Sequence, residues 1–122
     1  MKVRITEYLD IDLEKELWCC HACGTELGPA RENYKHFMLV YERDPQEIHR
    51  PYVDPASSPA GHSCSPDPDW CRILEFYCPK CVTMVEVEYL PPGHPPTHDI
   101  EIDIYALKVR HAAGPRQLRG DR

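Results

Sequence analysis

Two Cys-x-x-Cys pairs, Cys20/Cys23 and Cys78/Cys81, constrain this chain more than any other feature of its sequence. Two residues between cysteines let a tight turn aim both sulfurs at one point. Two such turns supply four thiolates at the corners of a tetrahedron, about 2.3 Å from a Zn²⁺ ion. Gly24 follows the first pair, where the chain of a knuckle often needs a positive φ. Val82 holds the equivalent place after the second pair, so that turn must close with a different backbone or under strain. The spacing predicts a structural zinc site with Cys20, Cys23, Cys78 and Cys81 as ligands. Cys19 competes with its neighbour Cys20, at a looser spacing from Cys23. His21 is an alternative ligand, although its place inside the turn favours the surface. Cys64 and Cys71, with His62, Asp67 and Asp69 nearby, offer a second and weaker constellation. Its plainer reading leaves both cysteines unligated and Cys71 within a strand.

The size of the chain gives a physical reason for a metal. At 122 residues it is expected to be one domain, 1–122, with an N-terminal strand or arm over 1–12, a Pro-rich loop over 44–69 and a C-terminal tail over 110–122. It carries 13 prolines, about twice ordinary usage. A loop-rich chain of this length builds a small core and usually needs a staple. The N-terminal residues lack the apolar core of a secretory signal, and no apolar run approaches the roughly 18 residues of a membrane span. A cytoplasmic setting is therefore expected, where the seven cysteines serve as ligands or thiols rather than disulfides. The net charge of −6 argues against nucleic acid and against anionic membranes as partners. Only the tail from Lys108 to Arg122 is basic, and it is broken by Gly114, Pro115 and Asp121.

The hydropathy pattern is mainly β. Lys2 to Tyr8 alternates, and Leu13 to Cys19 fits a strand or a short helix. Glu32 to Arg43 is apolar without a decisive period. Pro45 to Asp69 has no periodicity and reads as a long loop. Trp70–Cys78 and Val82–Tyr89 flank Cys78-Pro79-Lys80-Cys81, which predicts a hairpin with the second cysteine pair in its turn. In the latter run Val85, Val87 and Tyr89 oppose Glu86 and Glu88. Asp99 to Val109 alternates again, with Ile100, Ile102 and Ile104 on one side and the acids Glu101 and Asp103, with Tyr105, on the other. These acids are expected to mark a wet or partner-facing sheet surface. The expected fold is a small zinc-ribbon-like antiparallel sheet with long Pro-rich loops and extended termini.

Little in the sequence points to chemistry. Four thiolates close a zinc site and lower its Lewis acidity, whereas a catalytic zinc keeps an open position. A redox Cys-x-x-Cys ordinarily precedes a helix, and Cys81 leads into a β-like run. There is no Gly-rich phosphate loop and no Gly-x-Ser-x-Gly. The seven histidines are scattered, and only His94 and His98, near Asp99, suggest a further metal site. Trp18, Trp70, Phe76 and Tyr77 border the cysteine turns; they are expected to pack around the metal, with Trp70 the best interface residue. No catalytic residue is assigned.

The run from Cys71 to Glu88, an apolar-Arg/Glu-aromatic segment, a Cys-Pro-x-Cys knuckle and a Val-Glu-rich strand, resembles the signature of the small γ subunits of ATP-dependent acetone and acetophenone carboxylases. Cys20 to Gly24 agrees with it. The match is firmest over the second half of the core, looser before Trp18, and adds little beyond Pro91. The short length suits the acetophenone type, and Val82 departs from the family's frequent glycine. The resemblance implies a zinc-bearing structural subunit of a multisubunit cytoplasmic ligase. Its large hydantoinase- or oxoprolinase-like partners would bind ATP and a divalent cation. They would activate bicarbonate and the ketone enolate as phosphorylated species, giving a β-keto acid such as benzoylacetate from acetophenone. The alternatives are a free-standing zinc-ribbon module that binds protein or nucleic acid, and a small thiol or metal enzyme.

Overall fold

The computed structural model describes residues 1–49 and 67–113. The fold is mainly β, with two antiparallel sheets and few helices. The chain divides into two compact units, Met1–Phe37 with the stretch from His98 onward, and Met38–Thr97.

The first unit is a four-stranded meander of β1 (Lys2–Arg4), β2 (Leu9–Asp12), β3 (Leu17–Cys20) and β4 (Glu26–Pro29), each antiparallel to the next. Polar side chains close its turns. Asp12 Oδ1 accepts the amides of Glu14 and Lys15 at 3.0 and 3.1 Å, an Asx turn that brings β3 back along β2. Leu9 pairs with Cys20 and Ile11 with Trp18, so these four side chains share one face, and all are buried. Trp18 has no exposed surface; it meets Tyr34 edge to face at 5.6 Å and donates its indole N–H to the Glu32 carbonyl at 2.9 Å. Tyr34 lies in a 3₁₀ turn (Tyr34–Phe37) whose Phe37 ring covers Gly28. A Cβ on Gly28 would fall 2.6 Å from three atoms of that ring. Gly28→Ala is therefore expected to destabilise by about 1–3 kcal/mol, read by chemical denaturation.

The alternation of Ile100, Ile102 and Ile104 predicts a strand, but the structure has the helix α2 (Ile104–Ala112) over its second half. The reason is local. Asp103 caps the helix, accepting the Ala106 amide at 3.0 Å, and the residues that follow are mostly good helix formers. Ile104 is fully buried, and Lys108 Nζ meets Glu16 Oε2 at 2.6 Å.

The second unit is a three-stranded sheet of β5 (Leu39–Arg43), β6 (Arg72–Tyr77) and β7 (Met84–Leu90), with β6 central. β6 and β7 form the expected hairpin. The segment Glu32–Arg43, ambiguous in sequence, splits into the 3₁₀ turn and β5. Pro45–Ile48, expected as loop, is a single helical turn, α1, begun by Asp44 and Pro45 with a capping box from Asp44 to Glu47. Residues 50–66 of the expected loop, including Cys64 and His62, lie outside the described residues, as does the tail after residue 113.

The two faces of β7 are not the ones its pattern suggests. Glu86 and Glu88 are half-buried, whereas Val87 and Tyr89 are exposed. Glu88 accepts the Thr97 amide at 3.2 Å, and Gly93–Pro96 line a cavity with Val40, Glu42, Arg72 and Leu74. The Pro-rich segment after β7 thus returns over the face that carries the acids. On the opposite face Glu75 is only 4% exposed and accepts both Nε and Nη2 of Arg43 at 3.1 Å. The Tyr77 hydroxyl donates to it at 2.6 Å. The Arg43 guanidinium, then the Tyr77 hydroxyl, hold the Glu75 carboxyl below its usual range. Because its folded pKa is depressed, its stabilising contribution is complete above the unfolded value, near pH 4.5, and is lost as pH falls through the lower folded value. Glu75→Gln should flatten that part of the stability-against-pH curve.

Candidate metal centre

Each cysteine pair is carried by the same backbone device. In the first, the Cys20 amide donates to the Thr25 carbonyl at 2.9 Å and the Gly24 amide to the Cys20 carbonyl at 2.8 Å. In the second, the Cys78 amide donates to Thr83 at 2.9 Å and the Val82 amide to Cys78 at 3.0 Å. The residue after each pair has a positive φ, 76° at Gly24 and 62° at Val82. The second knuckle therefore keeps the glycine geometry with a β-branched residue in it. Valine there is strained, because its Cβ and the carbonyl oxygen crowd one another in the left-handed region.

The four sulfurs of Cys20, Cys23, Cys78 and Cys81 all lie within 4.8 Å of one another. A tetrahedron with Zn–S bonds of about 2.3 Å has S···S edges of roughly 3.8 Å, so this separation is close to what zinc requires. Cys20 and Cys78 are buried, Cys23 and Cys81 exposed. Four cysteines this close can hold a metal ion such as zinc. They are the one such group of three or more metal-ligating side chains among the described residues.

Two features of the centre escape the reading by spacing. Thr25 Oγ1 lies 3.0 Å from Cys23 Sγ, and Thr83 Oγ1 lies 3.1 Å from Cys81 Sγ. Towards a thiolate each hydroxyl is the donor, and such a bond spreads the negative charge of a four-thiolate site. The signal was present as a repeated Cys-x-x-Cys-x-Thr. The second feature is His21, whose Nδ1 sits 2.9 and 3.0 Å from the two carboxylate oxygens of Asp10. That bond fastens the first knuckle to β2 and turns the ring towards Asp10.

The remaining candidates fall elsewhere. Cys19 follows Trp18 on β3 and points to the opposite face from Cys20, as neighbours on a strand must. Its thiol is fully buried and lies 3.8 Å from the Leu17 carbonyl; burial pushes its pKa up. Cys71 is half-buried, just before β6. Asp67 accepts the Asp69 amide within a turn. His94 Nδ1 faces the Pro95 carbonyl at 2.7 Å, and His98 Nδ1 pairs with Glu101 at 3.4 Å. Asp99 accepts the Tyr34 hydroxyl at 3.2 Å and meets the buried Lys35 at 3.5 Å. Among the described residues Trp70 is the most exposed of the large apolar side chains, whereas Trp18 and Phe76 are fully buried.

The sequence model of the acetone carboxylase gamma subunit matches residues 3–112. The likeness thus runs well past the region in which the signature is recognisable by eye. Over 113 residues the chain is 55% identical to the acetophenone carboxylase beta subunit of Aromatoleum aromaticum, covering 93% of this chain and 84% of that one. It is 32% identical over 100 residues to the acetone carboxylase gamma subunit of Xanthobacter autotrophicus, covering 81% of this chain and 55% of that longer relative. The chain belongs to the acetone carboxylase gamma-subunit family.

Proposed function

We propose that the chain is the small zinc-bearing structural subunit of a cytoplasmic, ATP-dependent ketone carboxylase of the acetophenone type. The observation that carries this reading is the likeness to an acetophenone carboxylase subunit over nearly all of the chain. In this reading Cys20, Cys23, Cys78 and Cys81 ligate one zinc ion. The zinc supplies cross-linking rather than Lewis acidity, because four thiolates leave no open position and already donate heavily to the metal. Thr25 and Thr83 donate to the exposed sulfurs, and the Asp10–His21 bond steadies the first turn.

The reaction, acetophenone with bicarbonate and ATP to benzoylacetate, then belongs to large hydantoinase- or oxoprolinase-like partners. ATP and a divalent cation sit on those subunits. The small chain contributes to assembly of the complex. Co-expression with the large carboxylase subunits tests this directly. The expected result is a stable complex in which formation of benzoylacetate requires this chain. Large subunits that assemble and carboxylate acetophenone at full rate without it would contradict the reading.

A further inference from the structure

The four cysteines differ in what protects them. Cys20 and Cys78, the first of each pair, are buried, whereas Cys23 and Cys81, the second of each pair, are exposed. A buried sulfur is shielded by the fold, and Cys78 Sγ also accepts the Lys80 amide at 3.5 Å. An exposed sulfur lacks that cover, and a competing chelator or an electrophile reaches it first. In each knuckle one side chain stands against the exposed sulfur. It is Thr25, with Oγ1 3.0 Å from Cys23 Sγ, and Thr83, with Oγ1 3.1 Å from Cys81 Sγ.

The backbone builds this contact twice. The positive φ of Gly24 and of Val82 turns the chain back on itself. The amide of the first cysteine of each pair then donates to the threonine carbonyl at 2.9 Å. Each threonine is thus pinned two residues after the exposed cysteine, with its side chain half-buried. The residues between and after the cysteines differ, His21, Ala22 and Gly24 in one turn and Pro79, Lys80 and Val82 in the other. The cysteines and the threonine are what the two turns share. A hydroxyl donating to a thiolate makes a charge-assisted bond, which fixes the direction of the sulfur and draws charge from it. The sulfur is then held as a ligand and is a weaker nucleophile.

We infer that Thr25 and Thr83 are positioning residues of the metal centre, whose hydroxyls hold the exposed Cys23 and Cys81 as ligands and set how tightly the chain keeps its zinc. The inference rests on the zinc reading proposed above. The fold secures the two buried ligands, and the threonines secure the two exposed ones.

The test uses the full zinc-loaded chain. Thr25→Val and Thr83→Val keep the branched shape and remove the hydroxyl. Each should weaken zinc binding about tenfold in competition with a chromophoric chelator, and the two together should weaken it further. Thr25→Ser and Thr83→Ser keep the hydroxyl and should bind zinc much as the parent does. Alkylation by iodoacetamide, mapped by mass spectrometry, separates the hydroxyl from packing. Thr25→Val should speed alkylation of Cys23 alone, and Thr83→Val that of Cys81 alone. Thr25→Val and Thr83→Val chains that bind zinc as tightly as the parent would overturn the inference. So would Thr25→Ser and Thr83→Ser chains that lose as much affinity as Thr25→Val and Thr83→Val, or alkylation that rises equally at all four cysteines. Each of those results leaves the proposed function standing. A parent chain that binds no zinc removes both.

Discussion

Cys78→Ser is expected to leave the chain without its metal and without a stable fold. Cys78 is fully buried, its amide closes the second knuckle, and its sulfur belongs to the four-sulfur cluster. Structural zinc sites of this type contribute about 10–16 kcal/mol of binding free energy at neutral pH. The net stability of a small domain is about 5–15 kcal/mol, so a site of this kind can account for all of it. Serine keeps the shape but offers a poor ligand. Zinc content should fall from one per chain to near zero, and the cooperative thermal transition should disappear. A strong chelator acting on the parent chain should have the same effect. Cys71→Ser, outside the cluster, should keep both metal and transition. A Cys78→Ser chain that retained its zinc and melted like the parent would show that the metal is held otherwise.

Trp18→Ala is expected to cost about 3–5 kcal/mol, the largest effect of any substitution away from the cysteines. The indole has no exposed surface, packs on Tyr34 and satisfies the Glu32 carbonyl. Alanine removes the packing and leaves both a cavity and a carbonyl without its donor. Trp18→Phe separates the two contributions. It keeps most of the volume and loses the hydrogen bond, so about 1–2 kcal/mol should remain as the cost. Chemical denaturation of the zinc-loaded proteins measures both. A Trp18→Ala chain within 1 kcal/mol of the parent would mean that the meander does not depend on this residue.

What the sequence disclosed about the fold was what short-range chemistry decides. The β6–β7 hairpin follows from two apolar runs around a four-residue turn. The strain at Val82 follows from comparing two turns that share one backbone plan. Both are properties of a few neighbouring residues. The faces of β7 were not legible in the same way. Alternation says that Glu88 and Val87 point in opposite directions, but not which side the returning Pro-rich segment covers. The helix α2 was hidden because three isoleucines at even spacing fit a strand, while the deciding residue, Asp103, acts through one cap hydrogen bond. In the metal centre, the spacing of the cysteines made the two turns legible. The donors behind them were not, because Thr25 and Thr83 gain meaning only once both turns are seen to end alike. Asp10 is invisible as a partner of His21 until β2 and β3 are paired.

Zinc K-edge X-ray absorption on the purified chain is the most direct test of a four-cysteine zinc centre. The expected spectrum shows four sulfur scatterers at about 2.3 Å and no nitrogen or oxygen in the first shell. A first shell containing nitrogen or oxygen, or a chain purified with no zinc at all, would contradict it.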